Sequence, residues 1–97
     1  MKRDYKQALI QDKFFAAEID CNIATIDLHQ SINIFDALEQ LEHGLYILSS
    51  RGLFYCTVVH GIGSGQLAEA VHERLKKHPL VSGSRESESG GRCLVVF

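Results

Sequence analysis

Five aliphatic side chains, Ile34, Leu38, Leu41, Leu45 and Leu48, recur four and three residues apart. That is the repeat of one face of an α-helix turned toward a core. Ser31 offers a side-chain oxygen to the unpaired amides at the start of such a helix, and Gly52 is placed to end it. Gly44, inside the stripe, costs about 1 kcal/mol against alanine, so it points to close packing. On either side of this helix the pattern changes period. "IATIDLH", residues 23–29, brings Ile23, Ile26 and Leu28 together in strand fashion. "LFYCTVV", residues 53–59, is a near-continuous apolar and β-branched run, the composition of a strand covered on both faces in a parallel sheet. Leu67, Ala68, Val71 and Leu75 then mark a second amphipathic helix, which Pro79 ends. "LVSGSRES" reads as a short strand, "SESGG" as a turn and "RCLVVF" as a closing strand.

The predicted order is therefore β-α-β-α-β-β. Alternating strands and helices pair in parallel through crossovers, and two final strands around a glycine turn form a hairpin. The fold class expected is α/β (an α+β sandwich), with a four-stranded mixed sheet. Residues 1–22 are polar and mixed in charge, with Phe14 and Phe15 as their strong apolar pair. They are expected to form a peripheral arm or short helix beside a domain spanning 23–97.

Ninety-seven residues with 45% apolar and 23% charged side chains suit one globular domain. No apolar run is long enough for a membrane helix, so no membrane partner is expected. The N-terminal residues lack the apolar stretch of a signal peptide, and a cytoplasmic location is expected. Cys21, Cys56 and Cys93 are scattered, without a CxxC pair. They read as buried or half-buried thiols in a reducing compartment. The net charge of −2 argues mildly against nucleic acid, whose partners are often basic. Oligomeric state is not encoded in any pattern here.

The chemistry gathers at the ends of the first two strands, the edge where open α/β sheets bind ligands. Asp27 and His29 are two apart and share a strand face. The carboxylate either orients the imidazole or caps a local turn. His60 ends the second strand. Two histidines and a carboxylate could share acid–base work or hold a divalent metal, although no HxxxH spacing is present. The loop Gly61-Ile62-Gly63-Ser64-Gly65 opens the second helix, where free amides and the helix dipole favour an anion. It is also a plain strand-to-helix turn in composition. Lys76, Lys77 and His78 read as a solvated face at a helix C-terminus, and Arg85 and Arg92 could add a basic rim near the hairpin.

Four stretches together carry a resemblance: "IDLHQ", "VVHGIGSGQL", "VHERLKKHPLV", and the "GG" before the last strand. In this order and spacing, over residues 24–97, the chain resembles the Smr (small MutS-related) domain. "KKHPLV" is most similar to the C-terminal Smr domain of the MutS class outside classical mismatch repair. The resemblance implies a β-α-β-α-β-β sheet with two helices on one face, similar to the C-terminal domain of the third bacterial translation initiation factor. It implies an endonuclease or nicking domain acting on DNA or RNA, with Asp27, His29 and His60 as catalytic positions. Gly61, Gly63, Ser64, Gly65 and Arg92 would then contact phosphate. Metal dependence is left open; Mg²⁺ or Mn²⁺, if used, would fall to Asp27, His29 and His60. Two positions depart from the family's habit: Gln30 stands where glycine is common, and Ile62 where lysine is common. A non-catalytic module that binds nucleic acid or protein through the same loop is the alternative.

Overall fold

The computed structural model describes residues 5–61, 65–88 and 90–97. Three helices, α1 (Tyr5–Ile19), α2 (Ile34–Ser50) and α3 (Gln66–Lys77), accompany four strands. The strands are β1 (Thr25–Asp27), β2 (Tyr55–Val59), β3 (Gly83–Glu86) and β4 (Arg92–Val96). They form one mixed sheet in the order β1-β2-β4-β3. β1 and β2 are parallel, and β4 runs antiparallel to both β2 and β3. The predicted element order and the closing hairpin are both present.

The alternating positions of the strands divide the molecule into two packed faces. Ile26, Cys56, Val58, Cys93 and Val95 point to one side and bury against Ala37, Leu41 and Leu45 of α2 and Val71 and Leu75 of α3. Gly44 lets α2 reach β1: a methyl group added there would lie 2.8 Å from Ile26 Cδ1. The cost of glycine in the helix is thus set against contact with the sheet.

The opposite face is covered by α1. Phe14 and Ala17 are buried, as are Thr57 and Val96 on the strand face they cover. Phe14 lies against Gly83, the Arg85 guanidinium stacks 4.3 Å from the Phe14 ring centroid, and Tyr55 donates a hydrogen bond to Asp20. The expectation of a peripheral N-terminal segment gives way to a third layer. This layer explains why β2 is apolar on both sides: its two faces serve two different cores. Arg85 bonds Glu18 and Gln11 of α1, and so does not contribute to the expected basic rim.

The end of α2 agrees with the sequence expectation at Gly52, but its start does not. Ser31 does not cap α2. Its amide closes a turn onto the Leu28 carbonyl, which moves the helix start onward to Asn33, in extended backbone. Asn33 Oδ1 accepts from the Asp36 N–H at 2.8 Å, and Asp36 Oδ2 accepts from the Ile32 N–H, a reciprocal pair of the capping-box kind. At the far end Gly52 has φ +80°. Its amide donates to Ser49, and that of Leu53 to Leu48, the paired bonds of a Schellman motif. His78, expected on a solvated face, is largely buried. Its Nδ1 accepts from the Leu80 N–H, so Nε2–H donates to Glu42, 2.6 Å away. Arg74 bonds the other oxygen of the same carboxylate. Burial pushes the Glu42 carboxyl up, but these two donors outweigh it and leave it below its ordinary value.

Candidate functional site

The ends of β1 and β2 and the start of β4 meet at one edge of the sheet. The Leu28 amide donates to Val59 O at 2.7 Å, tying the first motif to the second. Gly61 follows so closely that a methyl group on it would lie 3.4 Å from His29 Cβ. The amides of His60 and Gly61 both donate to the Gly91 carbonyl, each at 2.9 Å. The late pair of glycines, both at positive φ, thereby clamps the entrance of the loop. Asp27, His29, His60, Gly61 and Arg92 thus share one edge.

They do not share one face. Asp27 pairs in register with Val59, and Val59 with Arg92, so Asp27 and Arg92 occupy one row across the sheet. Asp27 Oδ1 accepts from the His29 N–H at 3.1 Å and lies in very short contact with His29 Nδ1. The hydrogen on Nδ1 is therefore donated to the carboxylate, and Nε2 carries the free lone pair. Both side chains are about half exposed, 48% for His29 and 52% for Asp27. The hydrogen bond from the His29 ring, with that from its amide, holds the Asp27 carboxyl below its ordinary value. Arg92 is exposed.

His60 points the other way, toward α3. It is 5% exposed. Its Nδ1–H donates to Gly61 O at 2.9 Å, and its ring meets that of His72 edge to face at 5.8 Å between centroids. Glu86 stands between the two rings, with Oε1 3.4 Å from His60 Nε2 and Oε2 in contact with His72 Nε2. Cys93 pairs with Glu86 across the hairpin, and the ligand-type atoms of His60, His72, Glu86 and Cys93 all lie within 4.8 Å of one another. The expected metal set of Asp27, His29 and His60 is not such a group among the described residues. The physical reason is strand alternation: His60 leaves β2 on the side opposite to Val59, whereas Asp27 shares the row of Val59.

The loop reading is also altered. The Gly61 amide is committed to Gly91 O and is not free for phosphate. Ile62, Gly63 and Ser64 lie outside the described residues. Gly65, at φ +87°, is the N-cap residue of α3 and makes no side-chain cap hydrogen bond itself. Of the thiols, Cys21 is exposed, contrary to expectation, because it sits in the turn between α1 and β1. Cys56 and Cys93 are buried, and burial pushes each up to about 12. His72, Glu86 and Cys93 were not singled out as a site by the sequence. Only the facing of α3, β3 and β4 brings them together, and no local spacing announces that. An open concavity between α2 and α3, lined by Phe35, Leu38, Tyr46 and Arg74 among others, holds none of these groups.

Comparison with known proteins places this edge in context. The family model described as "Smr domain" matches residues 26–96. A protein named Endonuclease MutS2 from Thermomicrobium roseum is 38% identical over 52 residues, 54% of this chain and 7% of that protein. Endonuclease MutS2 from Caldicellulosiruptor saccharolyticus is 31% identical over 85 residues, 88% of this chain and 10% of that protein. The chain thus spans a tenth or less of these relatives. The crystal structure of the Smr domain of Thermus thermophilus MutS2 is similar in fold, with TM-score 0.71 at 23% identity, covering 76% of this chain and 96% of that one.

Proposed function

This chain belongs to the Smr domain family, and on that premise we propose that it hydrolyses phosphodiester bonds in DNA or RNA. The observation that carries the proposal is the Asp27–His29 pair. Asp27 fixes the ring with Nδ1–H inward, and His29 is half exposed at the strand ends. Nε2 then takes a proton from the attacking water as its oxygen bonds to phosphorus, the task of a general base, and the P–O ester bond breaks with the leaving oxygen protonated from solvent. Ionised Asp27 also stabilises the imidazolium that results. Arg92, in the same row as Asp27, supplies positive charge for the phosphate. The helix dipole of α3, which begins at Gln66, favours an anion at the same end. His60 acts by holding the loop: its main-chain N–H binds Gly91 O and its ring N–H binds Gly61 O.

The test is cleavage by the purified chain of single-stranded, duplex and branched DNA and RNA, with and without Mg²⁺ or Mn²⁺. Cleavage of at least one of these, slowed roughly 10²–10⁴-fold by His29→Ala, is the expected result. A His29→Ala protein that cuts at the parent rate overturns the mechanism. Salt-sensitive binding with no cleavage supports a non-catalytic nucleic-acid module instead. Ile62 in place of lysine and the net charge of −2 each reduce attraction for phosphate, so nucleic-acid binding under either reading should be weak.

A further inference from the structure

Past the end of β2, on the face away from Asp27 and His29, four groups from four elements converge. His60 follows β2, His72 lies on α3, Glu86 ends β3 and Cys93 lies in β4. The His60 Nδ1–H is held by Gly61 O. In the neutral ring Nε2 then carries a lone pair, and it is directed toward another acceptor, a Glu86 oxygen at 3.4 Å. On the shielded His60 side, two facing lone pairs favour a cation between them, although Glu86 itself is 36% exposed. His60 Nε2 is shielded from solvent without a hydrogen bond, and His72 Nε2, equally shielded, lies against the Glu86 carboxylate. A ring whose outer nitrogen binds a main-chain carbonyl while the inner one faces acidic groups is the arrangement that supports metal-bound histidines.

We infer that His60, His72, Glu86 and Cys93 form a binding site for a zinc-class transition-metal dication. Two imidazole nitrogens, a carboxylate oxygen and a thiolate make a four-ligand set of the kind zinc takes. Thiolate and imidazole select such ions over Mg²⁺. Charge also balances: on binding, the Cys93 thiol gives up its proton to solvent, and thiolate plus carboxylate neutralise the dication beside two neutral rings. Bonds of about 2.0–2.3 Å require the four atoms to draw in from their present span of up to 4.8 Å. His72 and Glu86 are partly exposed, at 43% and 36%, and have room to turn. The ion would tie α3 to strands β3 and β4 and to the end of β2. This inference does not rest on the cleavage reading, since it is read by spectrum and stoichiometry.

The experiment uses Co²⁺ and Zn²⁺ with the full chain. Co²⁺ should bind one ion per chain, with the visible bands of tetrahedral coordination and a near-ultraviolet sulfur-to-metal charge-transfer band. Zn²⁺ should displace it, whereas excess Mg²⁺ should not. Cys93→Ala should abolish the charge-transfer band, and Cys21→Ala should leave it intact. His72→Ala changes a partly exposed residue and should keep the fold, checked by circular dichroism. It should weaken Zn²⁺ binding by more than roughly 10-fold, the least effect usual for losing even a supporting partner of a ligand. No stoichiometric binding, displacement of Co²⁺ by Mg²⁺, or retention of the spectrum and affinity in both Cys93→Ala and His72→Ala would overturn the assignment.

Discussion

His29 and His60 end neighbouring strands, yet one stands half in solvent and the other is almost fully enclosed. The difference follows from one residue of offset in a structure of period two. His29 stays with the row of Asp27, Val59 and Arg92, and His60 turns under the sheet edge toward α3. Each ring has its Nδ1–H tied down, His29 to a carboxylate and His60 to a main-chain carbonyl. The exposed ring can meet a polymer, whereas the enclosed one can meet only what fits between α3 and the hairpin. Sharing an edge is therefore weak evidence of a shared role.

Two substitutions separate the roles of the two rings most directly. His29→Ala should slow cleavage roughly 10²–10⁴-fold while leaving stability within about 0.5 kcal/mol, as for other surface positions. His60→Ala should instead lower stability, by about 1–3 kcal/mol, because it deletes a buried ring and leaves Gly61 O without its donor. Denaturant titration of both, beside cleavage rates, checks the contrast. Equal stability losses would show that the two rings are not differently embedded.

Packing under the first strand gives the next effect. Gly44→Ala gains about 1 kcal/mol of helix propensity, but its methyl group meets Ile26 at 2.8 Å, and overpacking commonly costs about 1–3 kcal/mol. The net change should be destabilising. A melting temperature raised by Gly44→Ala would mean that α2 can move off β1, loosening the strand that presents His29.

The smallest effect is in pH. The Glu42 carboxyl is held below its ordinary value when folded. Its contribution should be fully present above the unfolded value of about 4.3, and lost as pH falls through the lowered folded value. The stability gap between the parent and Glu42→Gln should be about 1 kcal/mol or less, since this carboxylate is 40% exposed. That gap should narrow on acidification. A gap that widens below the carboxylate range contradicts the assignment. Asp27 has the same sign, so its grip on His29 should persist through the neutral range.

The stripe of α2, the two-sided burial of β2 and the meeting of the two motifs were legible because each rests on local periodicity or on parallel pairing. The third layer was not. The helical stripe of Ile10, Phe14 and Ala17 is diluted by Leu9, Phe15 and Ile19, which the fold leaves exposed. Asn33 displaced Ser31 as the helix cap because a turn of main-chain bonds came first. The grouping of His60 with His72, Glu86 and Cys93 depends on strand register and helix facing, which spacing along the chain does not encode.

One acceptor, Gly91 O, serves the amides of both His60 and Gly61. A shared acceptor couples the kinetics of its donors. Neither amide can exchange its hydrogen with solvent through an opening that leaves the other protected if that opening is the departure of the 90–91 turn. The two should then show matching exchange rates, set by how often the hairpin tip lifts. The Leu28 amide, held by Val59 O, should follow a separate clock set by β1 leaving β2. Matched exchange at His60 and Gly61, distinct from that at Leu28, would mark Gly91 O as the common hold on the backbone that follows β2.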